Sequence, residues 1–359
     1  MKICIVVHSL SMGGAEKSSA LLSKMLVDSG YEVLIVSDTN EVVYEFKGDY
    51  LSLEEAINSK KGYLSKIRKV IYFRNILRKE KFDYVIDTRS RRNWLKQLVF
   101  NLFVFHVPTT IFMVHNYNLS LYFPKNVSLA RFLYKKAFKL VGVSMDSISE
   151  LEKKYGFTNA ICIYNAFDEK RFDTLLEEKV EVPKGDYILS YGRIVEESKD
   201  YSFLVKAYSK SQLPSLGINL YIVGDGPDKV KIENLVKELD MEDYVYFESF
   251  KANPLPYVKN ALFTTLTSNF EGFPMVLVES LRAGTPVVAI DCKSGPSEVI
   301  ITGKNGVLVP WKSEEKFVDG LNKMVLEDDF YRKCKKGTVS SVLKYEMKNI
   351  NKEWKTILS

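Results

Sequence analysis

Short apolar, β-rich runs recur along this chain, each followed by a longer helical stretch, and the series starts twice. KICIVVHSL comes first, Gly13 and Gly14 follow, a helical run from Ala15 to Ser29 ends at Gly30, and YEVLIVSD is the next run. Strand, helix and strand at this spacing make a βαβ unit. FDYVIDTR, TTIFMVHN and KLVGVS continue the series. A charged, apolar-poor stretch between Asp168 and Asp186 interrupts it, and it resumes with DYILSYGRI, INLYIVGDGP, DYVYFESF, ALFTTLTS, TPVVAID and GVLVP. Such alternation builds parallel sheets with helices on both faces. Two series in 359 residues predict two doubly wound α/β domains, each with its own sheet, and a cleft between them. The boundaries expected are 1–168 and 183–339, with 168–186 as the connection and a helix near 340–359 folding back on the first domain.

The side-chain supply excludes several classes. Cys4, Cys162, Cys292 and Cys334 form no CxxC pair, which argues against structural zinc or a disulfide framework and for a reducing compartment. The apolar run ICIVV is too short for a signal peptide. Leu98–Val114 is apolar but contains Asn101, His106, Pro108, Thr109 and Thr110, so no spanning helix is expected there. These features predict a soluble, cytoplasmic protein. The three histidines, His8, His106 and His115, belong to no metal-ligand cluster, and no HExxH or DxD occurs, so no metal is expected.

Charge is unevenly distributed. Residues 60–139 carry a net +15 and the rest of the chain −9. Lys66, Lys69, Arg74 and Arg78 share a basic amphipathic helix whose apolar positions are Tyr63, Ile67, Val70 and Leu77. Arg89, Arg91, Arg92 and Lys96 form a second cluster beside Trp94, Phe100, Phe103 and Phe105. Cations interleaved with aromatics suit an anionic membrane surface, while the same residues also fit the solvated faces of ordinary helices. Nucleic acid is not the expected partner, because no nucleic-acid module is present.

SNFEGFPMVLVES, residues 268–280, holds Glu271 in a strand-to-helix loop and Glu279 in the second turn of the helix that follows. Pro274 suits the first helical position and Gly284 the end. The amides of Phe273, Met275 and Val276 then face an anion, with a carboxylate on either side to accept from sugar hydroxyls. By spacing alone the pair is equally a loop acid and a solvated helix residue. Arg193 and Lys199, taken singly, are two of 51 basic residues.

SNFEGFPMVLVES with AGTPVVAIDCKSGPSEVI resembles the E-x7-E signature of family 4 retaining glycosyltransferases of GT-B fold, of the bacterial envelope-glycan type. HSLSMGGAE resembles that family's glycine loop, YNAFD its junction, YGRIVEESKDY its Gly-Arg…Lys-Gly segment, VGDGPD its Gly-x-Gly-Pro strand end, and NGVLVP its late strand. Ala166 and Asp200 stand where the family usually has glycine. Gly295 to Glu298 resembles a subgroup acting on UDP-galactose or UDP-N-acetylhexosamines.

The resemblance implies two facing Rossmann-like domains, the second binding a nucleotide sugar and the first an acceptor. It implies that Glu271 accepts from the transferred sugar and Glu279 from the nucleotide ribose. Arg193 and Lys199 would meet the diphosphate together with the segment Gly272, Phe273, Pro274, Met275 and Val276. Residues 245–250, Phe250 included, and 224–226 would lie near the base. Gly13 and Gly14 would approach the phosphate or acceptor, and His115 would sit near the sugar. The activity implied is metal-free, retaining transfer of a hexosyl or N-acetylhexosaminyl group from a UDP-sugar to a lipid-linked or polysaccharide acceptor at the inner face of the cell membrane. A nucleotide-sugar epimerase, a nicotinamide-dependent oxidoreductase and a non-catalytic binder are the rival readings.

Overall fold

The computed structural model describes residues 1–11, 13–57 and 63–359, with Tyr63 by its backbone alone. Met12 of the glycine loop and the Tyr63 side chain lie outside these. The chain divides into two compact units, Met1–Phe167 with Met347–Ser359, and Asp168–Glu346.

Among its described residues the first unit holds seven parallel strands: β1 (Lys2–Val7), β2 (Glu32–Ser37), β3 (Asp49–Ser52), β4 (Tyr84–Asp87), β5 (Thr110–Val114), β6 (Lys139–Gly142) and β7 (Ala160–Cys162). Their order is β3-β2-β1-β4-β5-β6-β7. The sequence expectation contained neither β3 nor β7, whose residues are mostly half-buried or exposed. Ile3 to Val7 and Thr110 to Val114 are buried throughout, which is why these strands read as unbroken apolar runs. Helix Gly14–Asp28 packs on the sheet through Ala20, Leu22, Met25 and Leu26. An aromatic core lies beyond β5, with Phe112 and Phe123 edge-on to Tyr134 at 5.0 and 4.9 Å.

Helix Tyr63–Glu80 differs from the sequence expectation. Phe73 is its fully buried side chain, with Val70, Ile76 and Leu77 half-buried beside it. Ile67 is exposed together with Leu64 and Ile71, on the opposite face. The segment 98–114 is a helix end, a widened turn at Phe100–Val104 and then β5. Among the described residues no helix is long and apolar enough to cross a membrane.

The second unit holds six parallel strands: β8 (Tyr187–Tyr191), β9 (Asn219–Val223), β10 (Val245–Glu248), β11 (Thr264–Leu266), β12 (Val287–Asp291) and β13 (Gly306–Pro310). Their order is β10-β9-β8-β11-β12-β13. It begins at Asp168, not at 183. The stretch expected to connect domains carries helix Glu169–Leu176, whose Phe172 is buried beneath the Arg282 guanidinium while Arg282 pairs with Asp173 at 2.6 Å. One aromatic residue is enough to anchor a segment whose average composition reads as linker. The expected helix over 340–358 is also divided. Asp328–Val342 belongs to the second unit, and after a turn at Leu343–Tyr345 the helix Met347–Leu358 belongs to the first. There Asn351 and Ser29 exchange hydrogen bonds of 2.9–3.0 Å.

Both sheets reverse strand order once, between β1 and β4 and between β8 and β11. The crevice at the carboxyl ends of such a pair is where open α/β sheets bind ligands.

Candidate functional site

In the second unit, β8 runs into Tyr191, Gly192 and Arg193, and β11 into Thr267, Ser268 and Glu271. Thr267 Oγ1 donates to the carbonyls of Lys199 and Asp200, and the Asn269 amide donates to Ser198 at 2.9 Å. These bonds clip the β11 loop to the short helix Glu196–Lys199. Asp200 follows in left-handed backbone, φ 49°, and its carboxylate accepts from the Phe203 amide. That geometry is the physical need a glycine usually meets, here filled by an aspartate.

The clip brings Lys199 Nζ to 2.6 Å from Glu271 Oε1, and Ser268 Oγ donates to the same oxygen at 2.6 Å. Lys199 and Glu271 are 24% and 14% exposed, so the pair is shielded yet reachable. The Glu271 amide donates to Lys293, and Ser294 Oγ donates to the Gly272 carbonyl, which props the turn before helix Met275–Arg282. Pro274 is the cap of that helix, not its first residue. The Met275 amide is already engaged, donating to the Phe273 carbonyl at 2.9 Å, so the expected trio of anion-facing amides is reduced. Glu279 lies one turn on. The buried Tyr191 hydroxyl donates to the Val276 carbonyl at 2.9 Å and lies 3.4 Å from Glu279 Oε2. Burial first, then the Glu279 charge, pushes the Tyr191 phenol well above its ordinary range, so it stays a donor.

The Arg193 side chain is exposed and makes no ion pair or hydrogen bond among the described residues, while its carbonyl accepts from the Val195 amide at 3.1 Å. Its backbone is held by β9. Ile194 donates to the Asp225 carbonyl at 2.9 Å, and a Cβ on Gly224 would lie 1.9 Å from the Gly192 carbonyl oxygen. Only glycine, at φ 152°, lets VGDGPD pack so closely on YGRI. The Asp225 carboxylate accepts from the Phe250 amide at 2.7 Å, leaving that ring 66% exposed beside the same strand ends.

In the first unit the β1/β4 crevice is a small pocket of about 90 Å³ with His8, Ser9, Glu16, Ser90 and Tyr122 among its walls. His8 Nδ1 lies 3.0 Å from Asp38 Oδ2. Burial opposes the Asp38 charge, but Arg89 and His8 outweigh it and hold the carboxyl below its usual range. Gly13 sits at φ 142°, and a Cβ there would meet Glu16 Oε2 at 2.2 Å. A carboxylate therefore already occupies the approach at Gly13. A phosphate would meet like charge there, whereas a sugar hydroxyl would meet an acceptor. His115 follows β5 directly, with both ring nitrogens shut from solvent and without a hydrogen-bond partner among the described residues. Burial, then the Arg91 charge, lowers its pKa to about 4, so the ring is neutral near pH 7.

Two members of the expected basic patch are not surface residues. Arg89 is 4% exposed and pairs with Asp87 at 2.8 Å. Arg91 is 2% exposed, donates to the carbonyls of Asp87, Arg89 and Met113, and lies within 5.1–5.7 Å of the rings of Phe112, Tyr122, Phe123 and Tyr134. Phe100 and Phe105 are buried as well. Trp94, Leu95, Val99, Leu102 and Phe103 are what the outer face presents, with Arg92 and Lys96. Sequence reasoning passed over Tyr191, His8, Asp38 and Glu16; the available signal was that His8 and Tyr191 each close a strand at a chain reversal.

Residues 12–171 match the model described as Glycosyltransferase Family 4, and residues 171–339 match Glycosyl transferases group 1. The chain is 29% identical, over 93% of both chains, to the Campylobacter jejuni N-acetylgalactosamine-N,N'-diacetylbacillosaminyl-diphospho-undecaprenol 4-alpha-N-acetylgalactosaminyltransferase. The lipopolysaccharide outer core galactosyltransferase WaaB in its apo form has the same fold, with TM-score 0.71, 20% identity and coverage of 100% and 99%. Anabaena HepE in complex with UDP-glucose matches at TM-score 0.75, 17% identity and the same coverage.

Proposed function

Because the chain belongs to glycosyltransferase family 4, and is therefore a nucleotide-sugar-dependent glycosyltransferase of GT-B fold, we propose that it moves a hexosyl or N-acetylhexosaminyl group from a UDP-sugar to a lipid-linked or polysaccharide acceptor with retention. The observation that carries this is the Lys199–Glu271–Ser268 cluster at the β8/β11 crevice, with Arg193 on the loop that leads from β8 to Lys199 and its side chain exposed. The UDP-glucose in HepE and the diphospho-undecaprenol acceptor in the Campylobacter enzyme's name support the choice of donor and acceptor.

In this reading Arg193 and Lys199 take the diphosphate, whose charge grows as the C1–O bond breaks. Glu271 accepts from hydroxyls of the transferred sugar and Glu279 from the ribose. Gly272, Phe273, Pro274 and Val276 line the phosphate turn, and Phe250 stacks near the base. The acceptor hydroxyl bonds to C1, and its proton passes to the departing phosphate oxygen on the same face, which gives UDP and an unchanged anomeric sense. Neutral His115 serves as a hydrogen-bonding group to the sugar, and the Gly13 loop with Glu16 meets the acceptor hydroxyls. No nicotinamide or nucleic acid takes part.

The enzyme acts at the inner face of the cell membrane, held peripherally by its amino-terminal unit. Supporting this, Leu95, Val99, Leu102 and Phe103 are exposed at helical spacing, as are Leu64, Ile67 and Ile71, with Arg92, Lys66, Arg68 and Arg78 near them in sequence.

The test is to screen UDP-, GDP- and ADP-sugars by thermal shift, then to follow transfer to a lipid diphosphate-linked acceptor and read the new linkage by NMR. Stabilisation by a UDP-sugar, UDP release that requires acceptor, and an α-linkage are expected. A UDP-sugar isomerised without acceptor, or an inverted linkage, refutes it.

A further inference from the structure

The loops that follow β4 and β5 line a second, larger and open groove of about 600 Å³. Its apolar wall is Trp94, Phe123, Pro124 and Leu129, and its cations are Arg92 and Lys125. No acid lines it, and neither cation makes an ion pair among the described residues. The neutral polar groups there are partly used. Asn126 Oδ1 caps the next helix by accepting from the Leu129 amide at 2.9 Å, and Ser120 Oγ donates to Asn118 at 2.6 Å. What remains is an apolar surface with two uncommitted positive charges on exposed side chains. That combination fits an amphiphile with an anionic head, because two cations without an opposing acid favour an anion over neutral hydroxyls.

Resting on the lipid-linked acceptor proposed above, we infer that this groove holds the diphosphate and first isoprenoid units of the acceptor's lipid. Arg92 and Lys125 take the phosphates, and Trp94, Phe123, Pro124 and Leu129 take the proximal chain. The volume falls within the roughly 300–1,000 Å³ of small-molecule sites. It therefore fits a short stretch of a long polyprenyl chain. Trp94 also opens the helix that exposes Leu95 and Val99, so the rest of the chain leaves along an apolar face.

Farnesyl diphosphate is the probe, a soluble molecule with the same head and a short tail. Binding is read from tryptophan fluorescence, since Trp94 is one of three tryptophans, and the signal is assigned with Trp94→Phe. Arg92→Glu with Lys125→Glu, and separately Leu129→Glu, should each weaken binding about tenfold or more, a loss of about 1.4 kcal/mol. Lys135→Glu with Lys136→Glu changes the net charge of the same unit by the same amount and should leave binding unchanged. Inorganic diphosphate and farnesol should each bind at least about tenfold more weakly than farnesyl diphosphate, since each lacks half of the recognised ligand. Thermal melts with UDP-sugar confirm that each variant is folded. Equal affinity for inorganic diphosphate, or a response to the Lys135/Lys136 reversal as large as to Arg92/Lys125, overturns the assignment. If wild-type enzyme transfers sugar to the lipid-linked acceptor but does not bind farnesyl diphosphate, the pocket is refuted and the transferase reading stands. If farnesyl diphosphate binds as described but no UDP-sugar does, the donor reading fails instead.

Discussion

Removing either partner of the Lys199–Glu271 pair tests the centre of the proposal. At 2.6 Å and an effective dielectric near that of shielded protein sites, the gross attraction is about 6 kcal/mol. Desolvation of two side chains that are 24% and 14% exposed cancels most of it, leaving a net coupling of about 1–2 kcal/mol. Lys199→Met should therefore lower unfolding stability by about that amount, since Glu271 keeps only the Ser268 hydroxyl. Glu271→Gln should do the same, and the double variant should recover part of the loss. The catalytic cycle should differ. Lys199→Met removes a charge that acts on the leaving diphosphate, and kcat/KM should fall by about 10²–10³. Glu271→Gln should fall comparably, and the double variant little further, because the two hold one sugar phosphate between them. The assay is steady-state UDP release beside urea unfolding of the same four proteins. Losses in kcat/KM that multiply in the double variant would show that the residues act independently. Turnover near wild type in Lys199→Met would remove the lysine from the reaction altogether.

Other outcomes follow from single contacts. Gly224→Ala drives a methyl to 1.9 Å from the Gly192 carbonyl at φ 152°, and should cost about 3 kcal/mol in urea unfolding. Gly284→Ala, with open space around it, should cost about 1 kcal/mol, from backbone strain alone. His115 is held at about 4 against an unfolded value of 6.5, so the unfolded chain binds the proton first as pH falls. The stability this group contributes is complete above pH 6.5 and is lost toward pH 4, about 3 kcal/mol in all, and wild type should lose more than His115→Asn when unfolded in urea at pH 7 and 4.5. Arg91→Ala opens a cavity among four rings and strips three carbonyls of a donor, so it should destabilise by about 3–5 kcal/mol, while Arg92→Ala on the surface should be near neutral. Phe103→Asp with Leu95→Asp should abolish sedimentation with phosphatidylglycerol vesicles while leaving thermal stability in place.

Eleven of the thirteen parallel strands among the described residues follow from apolar runs that a sequence displays openly, because a strand buried on both faces has no polar period to hide behind. The short edge strands β3 and β7 do not: DYLS and AIC are only partly buried and carry no such run. Glycine-dependent turns are equally visible, since VGDGPD records a close backbone approach in its residue types. Membership of the family, and the loop bearing Glu271, came with those motifs. The choice among charged side chains did not. Counting cations over residues 60–139 treats Arg89 and Arg91 as equal to Arg92, and nothing local separates a guanidinium stacked among rings from one in water. Likewise Ile67 and Val70 look alike on one helix, and only the neighbour it packs on decides which is inside. The Lys199–Glu271 pair joins residues 72 apart, and the break at Leu343–Tyr345 separates two helices of similar local propensity.

What the sequence settled by itself was local: which apolar segments are the inner strands, where glycine is obligatory, and which family motif the acids belong to. Which charges lie in water, which are buried against rings, and which acid grips which base was decided only on folding. Burial and ion pairing depend on what lies across a few ångströms of space, and distance along the chain does not measure that.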